Sequence, residues 1–209
     1  MKRWPAVLKF SIVVCSCVLA LNVFRWQLID LLTPFLEPFL EIAAGVLLLV
    51  ALVWSLIALI RQCLQHKISR SNLYALAICL AALAMVLFVP FDNLMLKADF
   101  RIYLSRRTQI ASEILAGKWE SKVTQRGGRG EWIALSGLDR PLSDGGEVVL
   151  WREGNQSCIL FMTFRGILDS FSGFVYSSDD QAPSSDAFLG HPVQIEHWRP
   201  HWYWYASRN

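Results

Sequence analysis

Three histidines close the chain in the segment His191-Pro-Val-Gln-Ile-Glu-His-Trp-Arg-Pro-His-Trp-Tyr-Trp-Tyr205. His191, Glu196, His197 and His201 are metal-ligand types. His197 and His201, four residues apart, would share one face of a helix. Pro200 and the run of aromatics oppose a helix there. Read as a strand, the segment puts His197, Arg199, His201, Tyr203 and Tyr205 on one side and Trp198, Trp202 and Trp204 on the other. The expectation is a Trp face buried against a helix and a wetter His/Tyr face, with the membrane interface as another place for such aromatics. His197, His201, Trp202 and Tyr203 are therefore candidate binding residues. No metal or other cofactor is assigned.

A second polar group is Arg165, Asp169, Ser170 and Ser172. Ser170 would be a nucleophile served by a histidine from the closing segment, but no nucleophile-elbow pattern surrounds it. The preferred reading is a turn in which Arg165 pairs with Asp169, and both join the candidate binding residues. Arg101, Arg106 and Arg107 suit an anionic ligand or, more simply, a solvated face. Arg126-Gly-Gly-Arg-Gly130 resembles Arg/Gly segments that bind RNA; it is read instead as a flexible loop, with no nucleic-acid partner. Asn155-Gln156-Ser157 is a glycosylation triplet that arises easily by chance. Asp179, Asp180 and Asp186 are too irregularly spaced for a calcium loop.

The elements that position these residues fall into two regions. Of the 209 residues 54% are hydrophobic, and the apolar runs are concentrated before residue 92. Phe10–Phe24, Ile42–Ile60 and Leu73–Phe91 carry no Asp, Glu, Lys, Arg or His. About 20 apolar residues cross a ~30 Å hydrocarbon core. Three transmembrane helices are expected, at about 8–28, 42–60 and 73–91, the first retained rather than cleaved as a signal because no small-x-small site precedes Asn22. Ala43, Ala44 and Gly45 suit close helix approach. Pro90 is expected to kink the chain where it leaves the membrane.

Charge sets the expected orientation. Residues 1–91 hold seven Lys and Arg against three acids, whereas residues 92–209 hold thirteen against fourteen. Lys2, Arg3 and Lys9, and then Arg61, Lys67 and Arg70, mark cytosolic segments, because Lys and Arg are retained inside. Arg25 with Asp30, Glu37 and Glu41 marks an outer loop. Three crossings then place residues 92–209 outside the plasma (inner) membrane, in the periplasm or extracellular space. Cys158 alone lies in that region, so it holds no internal disulfide.

Residues 92–209 form the expected second domain, with α+β architecture. Leu96, Phe100, Tyr103, Leu104, Ile110, Ala111, Ile114 and Leu115 follow helical spacing, and Gly117 ends the helix. Strands are expected at Glu131–Leu135, Glu147–Arg152, Ser157–Arg165, Gly173–Ser177, His191–Glu196 and Trp198–Tyr205, with a hairpin at Gly154-Asn155. Cys158, Leu160, Met162 and Phe164 share one face of their strand; Ile159, Phe161, Thr163 and Arg165 share the other. The helix packs on an antiparallel sheet. This order of elements resembles pilin-like subunits in architecture alone. Two additional preceding helices depart from that plan, and the analogy carries no function.

No catalytic set stands clear of a structural explanation. The expected function is a non-enzymatic binding or accessory protein, embedded in the lipid bilayer, that presents its outer domain to a protein or envelope partner or to another copy of itself. The alternatives are a membrane-anchored hydrolase or metal-dependent enzyme acting outside, built on the histidines and the 169–172 turn, and an accessory subunit of a transport complex.

Overall fold

The computed structural model describes residues 6–25, 36–65, 69–127, 130–165, 170–189 and 191–208. The chain divides into two compact units, Met1–Lys97 and Ala98–Asn209.

Among the described residues the first unit holds three long apolar helices, α1 (Ala6–Val23), α2 (Glu37–Leu64) and α3 (Arg70–Phe88). Each is long and apolar enough to cross a membrane, yet only 22–28% of each span is buried inside the bundle. Leu49, Val50, Ile57 and Leu80 are among the large apolar side chains left outside. Water would penalise that surface at about 25 cal/mol per Å², so these helices sit in a lipid bilayer and the chain is a membrane protein. Between the helices lie Val14, Cys15, Val18, Ala44, Leu48, Ala51, Cys79 and Ala82. Ser11 and Ser55 hydrogen-bond across α1 and α2 at 3.1 Å, which satisfies two hydroxyls that lipid could not.

The boundaries differ from expectation for local reasons. Helix α2 begins at Glu37 with Pro38 in its first turn, a position where the missing N–H costs nothing. Glu41 is therefore helical. Helix α3 stops at Phe88, before Pro90, because Val89 is extended (φ −89°, ψ 118°). The residue ahead of a proline is driven out of the α region, and a new helix, α4 (Phe91–Leu115), starts immediately after. The proline separates two helices rather than kinking one.

Among the described residues the second unit holds, besides most of α4, a seven-stranded antiparallel sheet in the order β1-β2-β3-β4-β5-β7-β6. Its strands are β1 (Val123–Gly127), β2 (Gly130–Ala134), β3 (Glu147–Glu153), β4 (Gln156–Arg165), β5 (Phe171–Ser177), β6 (Pro192–Arg199) and β7 (Trp202–Ser207). Strand β1 has no clear alternation, and its pairing with β2 puts Arg126, Gly127 and Gly130 of the Arg/Gly segment, expected to be a loop, into strands. Residues 128 and 129 of that segment lie outside the described residues.

Both faces of the sheet are covered at its central strands. On one, Phe100 of α4 meets Phe174 at 4.7 Å, Trp198 at 5.2 Å and Trp202 at 5.7 Å. On the other, Val149, Cys158, Leu160, Met162, Val175, Tyr203 and Tyr205 pack with Ala187 and Phe188 from the segment between β5 and β6. Helix α4 ends in a Schellman motif: Lys118 N–H bonds to Glu113 C=O, Gly117 N–H bonds to Ile114 C=O, and Gly117 has φ +77°. The pairing is irregular in β1 between Val123 and Gln125, in β4 between Met162 and Phe164, and twice in β6. Gly173 is required opposite the β4 irregularity, since a Cβ there would lie 2.3 Å from the Phe161 carbonyl oxygen.

Candidate binding site

The closing segment does not form one strand from Trp198 to Tyr205. It turns back at Pro200-His201, where His201 adopts φ +66°, and becomes the β6–β7 hairpin. Proline followed by a left-handed residue is type II turn chemistry. The faces of β7 then differ from expectation on one side. Trp202 and Trp204 are buried beside Phe161 and Phe174, as read from the sequence. Tyr203 and Tyr205 are also buried, because the segment 178–189 covers the face expected to be wet.

Four residues meet where that segment crosses the hairpin. The Asp180 carboxylate accepts the His201 backbone N–H, and its backbone carbonyl accepts the Tyr203 hydroxyl at 2.8 Å. His197 Nε2 lies 3.7 Å from the same carboxylate, and its ring tilts over Tyr203 at 5.0 Å. His201 Nδ1 lies 2.8 Å from the Ser177 carbonyl oxygen. A carbonyl only accepts, so Nδ1 carries the hydrogen. The His201 ring also stacks on Tyr176 at 5.5 Å. His201 thus holds a turn, while His197 keeps a half-exposed side chain.

Asp179, next to the cluster in sequence, is held by Ser177, Gln181 and Gln156. Burial raises its pKa, but hydrogen bonds from Ser177 Oγ, Gln181 N–H and Gln156 Nε2 outweigh this and hold the carboxyl below its ordinary value. Burial also pushes the Tyr203 hydroxyl up, with Asp180 and Asp179 adding to the effect. The neighbouring serine hydroxyls are engaged: Ser177 donates to Asp179, and Ser178 accepts the Ser157 amide. Among the described residues no three His, Cys, Asp or Glu side chains gather as a metal site requires.

Arg165 is elsewhere. The β4 irregularity reverses the alternation, so Arg165 lies with Met162 instead of with Ile159 and Phe161. Its Nε donates to Met162 Sδ at 3.0 Å, its guanidinium covers Trp132 at 5.0 Å, and it pairs with Glu147 at 3.5 Å. The expected partner, Asp169, lies outside the described residues. Along β5, Phe171 pairs with Ser207 and Tyr176 pairs with Trp202. The 170–172 end is thus five residues, about 17 Å, from the His201 end. A serine–histidine pair between Ser170 and His201 is not assembled.

Arg106 and Arg107 of α4 are structural, whereas Arg101 is exposed. Arg106 forms a two-pronged pair with Asp139, at 2.6 and 2.8 Å. Arg107 is 1% exposed; it donates to Leu142 C=O at 2.9 Å and to Asp99 at 2.8 Å. Its burial lowers its pKa, and Asp99 opposes that shift. The solvated-face expectation for Arg107 is corrected. Its position on the apolar series 100, 103, 104, 107, 110, 111, 114 was the available signal. Asp180 had no comparable signal, since it stands in a polar loop with no periodicity.

No protein-family model, curated protein or solved structure matches this chain.

Proposed function

We propose that this membrane protein resides in the plasma (inner) membrane with its N-terminus in the cytosol. Its second unit then lies outside the cytosol and acts as a non-enzymatic binding or accessory module for a protein or envelope partner. The orientation is supported by the basic residues before α1 and around the α2–α3 connection, against the acids between α1 and α2. The binding reading rests on one observation. The Asp180 cluster is committed to the β6–β7 hairpin, whereas the outer strand β6 leaves Val193, Gln194, Glu196 and His197 exposed, with His197 beside Asp180. A mixed apolar and polar strip of this kind is suited to partner recognition.

Two measurements test this. In a Cys17→Ser, Cys63→Ser background, Arg208→Cys should react with an impermeant maleimide in intact spheroplasts, and Gln65→Cys should not; the reverse pattern refutes the orientation. A photo-crosslinking residue at Glu196 should give one discrete protein or envelope adduct in native membranes, while the same residue at Lys118 gives none. Equal labelling from both positions, or none from 196, refutes the binding reading.

A further inference from the structure

The membrane unit contains a crevice of about 460 Å³ among its three helices, within the size range of sites that take small molecules. Val18 and Leu21 of α1, Leu48 and Leu52 of α2, and Leu83 and Val86 of α3 supply apolar walls. On α2 the lining runs from Leu40 to Leu52, twelve residues or about 18 Å. One leaflet of the hydrocarbon core is about 15 Å deep, so the crevice has the length of a single acyl chain.

Its polar groups are confined to one end. Arg25 and Glu41 line the crevice there, paired at 3.1 Å, and Arg25 reaches Asp92 at 3.3 Å. All three side chains are between about one-third and one-half exposed. Gly45 explains the room. Among the described residues a Cβ at Gly45 would meet nothing within 4 Å, so the small residue leaves space beside α2 instead of drawing one of the described helices close. That corrects the sequence-based reading of Gly45.

From this geometry we propose that the crevice binds one acyl chain of a zwitterionic aminophospholipid. The apolar walls hold the chain, Arg25 faces the phosphate, and Glu41 and Asp92 face the ammonium. One cation and two carboxylates complement a headgroup that carries both charges, and their net negative charge disfavours an anionic headgroup.

The test is native mass spectrometry of the full-length protein released from nanodiscs containing equal phosphatidylethanolamine and phosphatidylglycerol. The expected result is retained ethanolamine lipid at about five-fold excess, the selectivity of one favourable exposed ionic contact. Gly45→Phe fills the crevice and should abolish retention of either lipid. Glu41→Gln, a half-exposed position that leaves the walls intact, should bring the ratio close to one. Preferential glycerol-lipid retention, an unchanged ratio in Glu41→Gln, or full retention by a folded Gly45→Phe protein overturns the proposal.

Discussion

The guanidinium of Arg107 donates to the backbone carbonyl of Leu142 at 2.9 Å from a fully buried position. Through this bond and the Asp99 pair, one helix side chain ties α4 to the connection between β2 and β3. Arg107→Met should destabilise the sheet unit by about 3–5 kcal/mol, because it leaves a carbonyl and a carboxylate without their partner. Denaturant unfolding in detergent, followed by tryptophan fluorescence, measures this. A loss under 1 kcal/mol would show that the buried cation is dispensable.

Acid should weaken the same unit in a defined window. Glu113 is held below its ordinary value of 4.5, first by the Trp119 indole and then by Gln109. Asp179 is held below its ordinary value of 3.8, its hydrogen bonds outweighing burial. A depressed folded pKa stabilises above the unfolded value and loses that contribution as pH falls through the folded one. Stability from these groups should be constant above about pH 5 and decline below about pH 4. Glu113→Gln and Asp179→Asn should each flatten the decline in a pH series of near-UV circular dichroism; an unchanged slope in both variants would discard this account.

The two clustered histidines should behave differently. His201→Val places a β-branched residue at φ +66° and removes the bond to Ser177, so a loss of about 2 kcal/mol or more is expected. His201→Asn, a residue that tolerates the left-handed region, should lose less. His197→Ala, at a half-exposed site, should change stability by under about 0.5 kcal/mol. Thermal melts of the three variants decide whether His201 is a structural pin and His197 a surface contact.

Cys158 should resist alkylation. Burial pushes its thiol from 9.0 up to about 11, which lowers the thiolate fraction at pH 8 about 100-fold. Native-state labelling followed by peptide mass spectrometry should find Cys158 unmodified when unfolded protein is fully labelled. Rapid native labelling would place the thiol at the surface.

Much of this architecture could be read from residue patterns. The three spans follow from uncharged runs, the end of α4 from Gly117, and the β3–β4 hairpin from Gly154-Asn155. The helix boundaries were missed for local reasons at Pro38 and Pro90; in the sheet unit, contacts between distant segments overrode local periodicity. Alternation assigned Arg165 to one face until an extra residue in β4 moved it to the other. The Tyr face of β7 was read as wet because nothing in residues 178–189 announces that they fold over it. Asp180 became central only when the hairpin turned toward it.

The outer strands carry one more consequence. Among the described residues β1 and β6 are the two edge strands of the sheet, both are interrupted in register, and β6 begins at Pro192. Identical domains tethered to one membrane meet at far higher local concentration than free copies do. A straight free edge under such two-dimensional crowding would template the next copy, and sheets would grow sideways across the surface. The interrupted edges deny that template. Edges interrupted in this way are poor templates for strand pairing between copies.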